Sequence, residues 1–314
     1  MSAGLSGEQT LPLLHRLWIY QAERFPLART SLLLVVFTAA SISVSAHLGG
    51  RTLPAWPAFA TAFLVTLIIF FQLRACDEVK DAEDDRRFRP ERPVPRGLVS
   101  LRLIVNLGIA GVPVAALVTV LFAPALIWPL ALVWAWLAMM SFEFFAPDWL
   151  KARPFLYLVS HMAIMPLIDL FVTACEWLPR AGAPPPGLWL FLALSFVNGC
   201  VLEIGRKLYG RGNERPGVET YSALLGPGRA ALAWSACALL AYGLLLGVGH
   251  AVQAFLPVAV VGTVALVATL ACALRYARNP VGGTQKTVDA MAGLWVLVCY
   301  GAAGFAPLLA GGRM

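Results

Sequence analysis

The residues able to do chemistry concentrate in one stretch, Arg74 to Gly97 (RACDEVKDAEDDRRFRPERPVPRG), directly after an apolar run from Phe59 to Leu73. Asp77, Asp81 and Asp85 stand at i, i+4 and i+8, so on a helix turning about 100° per residue they fall within one ~80° stripe. Glu78 and Asp84 flank that stripe. Three carboxylates on one face repel one another unless a cation sits between them. Hard oxygen ligands on a rigid stem, with room for phosphate oxygens to complete an octahedron, suit Mg²⁺. The second half of the stretch supplies the opposite sign through Arg86, Arg87, Arg89, Arg92 and Arg96, then ends on Pro93, Pro95 and Gly97. Acids for a metal and guanidinium forks for phosphates are the two halves of a magnesium–diphosphate site. The plainer alternative is a solvated loop after a membrane span. Such a loop has no reason to keep its acids in helical register.

The elements that must position these groups are membrane helices. The chain has 314 residues, 59% of them hydrophobic and 13% charged, with a mean hydropathy of +0.75. That composition describes a polytopic all-α membrane protein and not one or two soluble domains. Apolar segments of bilayer-spanning length fall at 31–48, 55–74, 101–122, 125–146, 155–176, 187–204, 229–249, 252–274 and 289–310. Residues 1–30 interleave Leu13, Leu14, Leu17, Trp18 and Tyr20 with His15, Arg16, Glu23 and Arg24, the pattern of an amphipathic helix on a membrane surface. The domain expectation is therefore a surface segment at 1–30 and a single nine-helix unit at 31–314.

The net charge of +7 reads as a topology signal and not as a nucleic-acid footprint. With the N-terminus inside, nearly all Lys and Arg lie on cytoplasmic segments, and only Arg51, Arg180 and Arg313 face out. This predicts a bacterial plasma (inner) membrane protein with cytoplasmic N-terminus and site loops and an external C-terminus. The six cysteines are scattered and form no C-x-x-C pair, so they read as packing residues. Gly108, Gly111, Gly243, Gly247, Gly293 and Gly301 are expected where helices approach closely.

A second polar cluster, Asn198 to Gly226, also leaves the end of a span. Glu203 is placed to pair with Lys207 and Arg206 along one helix face, and Glu214 and Glu219 follow a bend at Gly210 and Gly212. Asn106, Glu143, His161, Asp169 and Asn198 lie in or beside apolar segments, where ionisable and amide groups are expensive. His161 and Asp169, eight apart on span five, could line an acceptor pocket and take the acceptor's proton. Interhelical hydrogen bonding is the simpler role for Asn106 and Asn198. Glu143, beside Asp148 and Lys151, reads as an interfacial structural residue.

With these residues in view, the chain resembles the UbiA superfamily of intramembrane prenyltransferases over almost its whole length. The first motif, of the N/D-D-x-x-D-x-x-x-D kind, is Asp77-Glu78-x-x-Asp81-x-x-x-Asp85. It is followed by Arg92-Pro93-x-Pro95-x-Gly97, similar to the family's R-P-x-P-x-G turn. The second motif departs: the family's aspartates are replaced by Glu203, Glu214 and Glu219, with Arg206 and Lys207 among them. The ending from Gly217 through Thr220, Tyr221 and Ser222 to Gly226 is kept. The resemblance implies helices arranged around a central cavity and a Mg²⁺-dependent transfer of a prenyl group from a prenyl diphosphate to an aromatic or other lipophilic acceptor, through an allylic carbocation. It implies metal binding by Asp77, Asp81, Asp85, Glu203 and Glu214. Arg92, Arg206 and Lys207 would take up charge on the departing diphosphate. Glu78, His161, Asp169 and Tyr221 would border the substrates, with membrane lipid around them. Cyclisation of the prenyl diphosphate without an acceptor is an alternative chemistry on the same fold. A transporter is a more distant one, disfavoured because both acidic clusters sit at span ends and not at the midplane.

Overall fold

The computed structural model describes residues 10–215 and 217–310; residues 1–9 of the amphipathic segment, and Arg313, lie outside them. The described residues form helices and turns without strands. In chain order the helices are α1 (Leu13–Arg24), α2 (Leu27–Leu48), α3 (Trp56–Lys80), α4 (Ala82–Phe88), α5 (Leu101–Phe122), α6 (Ile127–Ser141) and α7 (Pro147–Lys151). They continue with α8 (Pro154–Met162), α9 (Ile164–Ala181), α10 (Leu188–Arg206), α11 (Tyr221–Leu225), α12 (Pro227–Ala251), α13 (Phe255–Arg278) and α14 (Gly282–Ala310). Among the described residues nine stretches are long and apolar enough to cross a membrane, with α8 and α9 sharing one of them.

Local chemistry explains the boundaries. Ser100 caps α5, its hydroxyl accepting from Leu103 N–H at 3.2 Å. Prolines open α3, α7, α8 and α12 in their first turns, where no N–H is needed. Helix α3 continues to Lys80, seven residues beyond the apolar run that ends at Leu73. Nothing between Arg74 and Lys80 breaks a helix, because apolarity marks the depth of the membrane and not the end of the hydrogen-bond ladder. Helix α6, in contrast, stops at Ser141. The fifth span breaks at Ala163, because Pro166 cannot donate to the carbonyl of Met162.

Helix α2 packs on α3, α9 and α14; α10 packs on α9, α12 and α14; α12, α13 and α14 pack in series. The outer surface of α13 exposes Leu256, Val260, Val264 and Val267, a stripe at helical spacing that suits lipid. Between helices the contacts are close and partly polar. Gly304 lies against Ala40, where a Cβ would come within 2.5 Å of its Cα, and Ser43 Oγ donates to the Gly304 carbonyl at 2.6 Å. Of the glycines expected at close approaches, Gly111 meets Ile68 and Gly108 meets Ala75, whereas Gly243, Gly293 and Gly301 face open space.

Two polar networks tie the bundle together away from the site. Asp169 is fully buried, accepting from Ser41 Oγ at 2.7 Å and from Tyr300 Oη at 2.5 Å, and Tyr300 Oη lies 3.1 Å from Ser195 Oγ. At the opposite end to the acidic stretch, Glu176 is buried beneath a bidentate Arg51 (2.8 Å and 2.8 Å), Arg180 (2.9 Å) and Ser45 Oγ (2.7 Å). Asn198 accepts from Trp295 Nε1 at 3.0 Å, the interhelical bond expected of it; Asn106 is instead exposed. Interhelical hydrogen bonds in membranes contribute about 0.6–1.7 kcal/mol each. Tyr300→Phe, which deletes the donor and keeps the ring, should therefore cost about 1 kcal/mol. The expected result is a lower detergent melting temperature with unchanged helix content by circular dichroism.

Candidate functional site

Alternation of the spans brings the segments at 81–100, 142–153, 207–220 and 279–281 to one end of the bundle. There the first acidic stretch is sorted by what its carboxylates meet. The helical ladder runs through Asp81, whose N–H donates to the Asp77 carbonyl at 2.9 Å and whose carbonyl accepts from Asp85 N–H at 2.8 Å. Asp77 and Asp81 remain about half exposed (51% and 47%), and their cations make ion pairs without a hydrogen bond, Arg74 at 3.4 Å and Arg92 at 3.9 Å.

Asp85, expected as a third metal ligand, meets arginines instead of standing open beside Asp77 and Asp81. Its side chain is 2% exposed and both oxygens are held by Arg92 Nη1, at 2.8 Å and 2.7 Å, with Arg89 at 3.2 Å. A carboxylate so paired braces the R-P-x-P-x-G turn. Gly97 closes that turn at φ +79°, with its N–H donating to the Val94 carbonyl. Glu78, expected to border the substrates, is also paired. It is buried under α1, accepting from Arg24 Nε at 2.6 Å with Tyr20 Oη at 3.5 Å. Burial disfavours the Arg24 cation, but Glu78 outweighs it and raises the guanidinium's pKa. Arg96 pairs with Glu23 on the same helix, and Arg86 and Arg87 pair with exposed Glu83.

The second cluster faces the first. Glu203 Oε1 holds Lys207 Nζ at 2.8 Å, one turn on, as their spacing predicts. Asp81 and Asp77 lie within Coulombic range of Lys207 and Glu203 respectively. Burial alone would lower the Lys207 pKa; Glu203, then Asp81 and Glu219, outweigh it and keep the ammonium charged. Arg206 and Glu219 are exposed. Glu214, expected as a metal ligand, braces its own loop instead: Ser222 Oγ donates to one oxygen at 2.6 Å and Thr220 Oγ1 to the other at 2.8 Å. Thr220 also caps α11, accepting from Ala223 N–H. Tyr221 is buried beside Phe155, its phenol pKa raised by burial and then by Glu203.

The two loops touch. Gly217, at φ +76°, lies so close to the Phe88 ring that a Cβ would fall within 2.3 Å of it, and Arg215 reaches Glu91 at 3.6 Å. Between them a polar cavity of about 400 Å³ is lined by Arg89, Glu91, Arg92, Tyr209, Arg215 and Gln285, among others. Three guanidinium groups against one carboxylate leave the cavity net cationic, which suits an anion.

A further polar group was missed by sequence reasoning. Glu143 pairs not with Asp148 or Lys151 but with Lys80 at 2.7 Å, and Lys80 Nζ also reaches Tyr157 Oη at 2.8 Å and His161 Nε2 at 2.9 Å. His161 stacks on Tyr157 with ring centroids 3.8 Å apart. His161 therefore belongs to this group, on α8, while Asp169 sits apart in the sealed network on α9; the two do not share a pocket. Glu143, Phe144 and Phe145 all adopt left-handed backbone (φ 48°, 52° and 58°). That conformation costs about 1–2 kcal/mol per residue. Stacking of Phe142 on Phe145, and of Phe144 edge-on to Trp136 and His161, holds it. The signal available in the sequence was Lys80 itself, a cation set between Asp77 and Asp81.

Among the described residues no three His, Cys, Asp or Glu side chains form a ready-made metal site. The weakly paired, half-exposed oxygens of Asp77 and Asp81 nevertheless fit Mg²⁺, which is commonly held by one or two carboxylates plus substrate phosphates. The structural and metal assignments separate experimentally. Asp85→Ala strands two guanidiniums and should cost roughly 3–5 kcal/mol. Asp77→Ala and Asp81→Ala should leave the melting temperature of the purified protein unchanged; equal losses in all three would show the acids acting alike.

Residues 34–297 match the UbiA prenyltransferase family. No curated protein sequence matches the chain at a significant level. Solved structures are similar to it, two of them over most of both chains. One comes from work on the biosynthesis of digeranylgeranylglyceryl phosphate synthase in membranes; it is 12% identical, with 94% of this chain and 99% of that one covered and a TM-score of 0.64. The other is an apo UbiA homolog from Aeropyrum pernix K1, 17% identical, with 85% and 96% covered and a TM-score of 0.64. At these identities the likeness is one of fold.

Proposed function

The chain belongs to the UbiA prenyltransferase family and is an integral membrane prenyltransferase, and from that premise we propose that it moves a prenyl group from a prenyl diphosphate to a lipophilic or aromatic acceptor with Mg²⁺. The observation that carries this reading is the meeting of two oppositely equipped ledges at one end of the bundle. Half-exposed Asp77 and Asp81 face Glu203 and Lys207, beside a cavity ringed by Arg89, Arg92 and Arg215. Asp77 and Asp81 would hold Mg²⁺, with Glu203 close by, and the metal when bound would neutralise charge on the diphosphate.

The chain's own residues then divide the remaining work. The three arginines bind the diphosphate oxygens, and Lys207, kept cationic by its acidic neighbours, faces the charge that develops as the allylic C–O bond breaks. Arg206 is exposed at the rim and steers the anionic substrate. Tyr221, buried between Glu203 and Phe155, borders the apolar side, where exclusion of water protects the carbocation. Residues 31–314 act as one catalytic unit, and α1 rests on it as a surface segment clamped by the Arg24–Glu78 and Glu23–Arg96 pairs. The excess of Lys and Arg at the site end orients that end towards the cytoplasm of a bacterial plasma membrane, with the C-terminus outside.

Incubation of the purified protein in detergent with Mg²⁺, prenyl diphosphates of several lengths and a panel of acceptors, followed by mass spectrometry, tests the reading. Turnover should vanish with a chelator and return with added Mg²⁺. Asp77→Ala and Asp81→Ala should each abolish it while expression is intact, and full activity in either would refute the metal assignment. Glu203→Gln should raise KM for the diphosphate; an unaltered response to substrate and Mg²⁺ would remove Glu203 from the site.

A further inference from the structure

The metal and diphosphate roles leave one polar group unused. Lys80, Glu143, Tyr157 and His161 come from three segments and close on one another at the edge of the site. Tyr157 lies within Coulombic range of Asp77 and Asp81, and His161 of Glu203.

Hydrogen-bond accounting fixes the proton positions. His161 Nδ1 lies 2.9 Å from the Tyr157 carbonyl, which can only accept, so Nδ1 carries the proton and Nε2 accepts from Lys80. The Lys80 ammonium then donates to Tyr157 Oη and His161 Nε2 and is ion-paired with Glu143 Oε1 at 2.7 Å. Lys80 is thus unavailable to the diphosphate although it stands inside the acidic motif. Tyr157 Oη donates to Glu143 Oε1 at 3.1 Å and keeps one lone pair unoccupied. Glu143 Oε2 is buried and accepts no hydrogen bond. The group therefore contains a proton donor already aimed at a carboxylate with spare capacity, and one open lone pair on a partly exposed phenol.

We propose that Tyr157 is the catalytic residue on the acceptor side, that Glu143 receives the proton through it, and that the acceptor presents a hydroxyl group. The proposal rests on the prenyl-transfer reading above. As the acceptor oxygen bonds to the allylic carbon, the bond from that carbon to the diphosphate has broken, its electron pair leaving on the diphosphate. The hydroxyl proton passes to Tyr157 Oη, and Tyr157's own proton passes to Glu143 Oε1. Lys80 remains an ammonium throughout and holds the phenol and the carboxylate in line. His161, as an acceptor to Lys80 and a stacking partner to Tyr157, is a positioning residue. Glu143 returns its proton to water between turnovers.

The test uses the purified full chain in detergent with Mg²⁺ and geranyl, farnesyl or geranylgeranyl diphosphate. Acceptors are a phenol, a glycerol monoether and the O-methylated counterpart of each. Diphosphate release and prenylated product are measured in the same reaction for wild type, Tyr157→Phe and Glu143→Gln. Wild type should release one diphosphate per product and give none with the O-methylated acceptors. Both variants should lose product by about 100-fold or more, with the KM for the prenyl diphosphate unchanged and diphosphate release continuing as water captures the cation. Product at the wild-type rate in both variants, or efficient transfer to an O-methylated acceptor, overturns the relay and leaves prenyl transfer standing. Joint loss of diphosphate release and product in both variants also overturns it, since the group would then serve ionisation or folding. A wild-type chain that consumes no prenyl diphosphate overturns the underlying reading instead.

Discussion

The grip of Arg92 and Arg89 on Asp85 decides what the rest of the polar end can be. A carboxylate 2% exposed at one end of the bundle needs partners beside it, and the two nearest guanidiniums stand at 2.7–3.2 Å. The pairing turns the chain after α4 into the R-P-x-P-x-G turn and aims Arg92 towards Asp81 and the cavity. It also occupies both Asp85 oxygens. Glu78, Glu176 and Glu214 are likewise matched by donors from their surroundings. Asp77 and Asp81 keep about half of their side chains accessible on the stem, with Arg74 at 3.4 Å and Arg92 at 3.9 Å as their nearest cations.

The family ending of the second cluster has a comparable physical basis. Thr220 caps α11, Ser222 ties Glu214 to the Tyr209 N–H, and Gly217 lets the loop lie on Phe88 without a side chain in the way. Replacing aspartates by glutamates lets Glu214 reach its own loop's hydroxyls, and Glu203 reach Lys207 along the helix.

Much of this was legible in the sequence because it is periodic. The nine spans, the stem carrying Asp77 and Asp81 and the Glu203–Lys207 pair all follow from spacing along one helix. What spacing cannot encode is which oppositely charged side chain arrives from another segment. Lys80 and Glu143 are 63 residues apart, and no helical period links them; each looked explicable by its own neighbours. Asp169 looked like a pocket residue for the same reason. Its partners, Ser41 and Tyr300, stand 128 and 131 residues away and convert an expensive buried acid into a clasp between helices. The early end of α6 at Ser141 was hidden too, because the phenylalanines that follow continue the apolar run while their backbone turns left-handed.

At the far end, the Arg51–Glu176–Arg180 knot joins the loop after α2 to the last turns of α9, with Arg180 also bonded to the Thr52 carbonyl at 2.7 Å. Three side chains from two segments converge there on one buried carboxylate, so loss of any one of them leaves a Glu176 oxygen short of a donor and loosens the end of the bundle away from the acids.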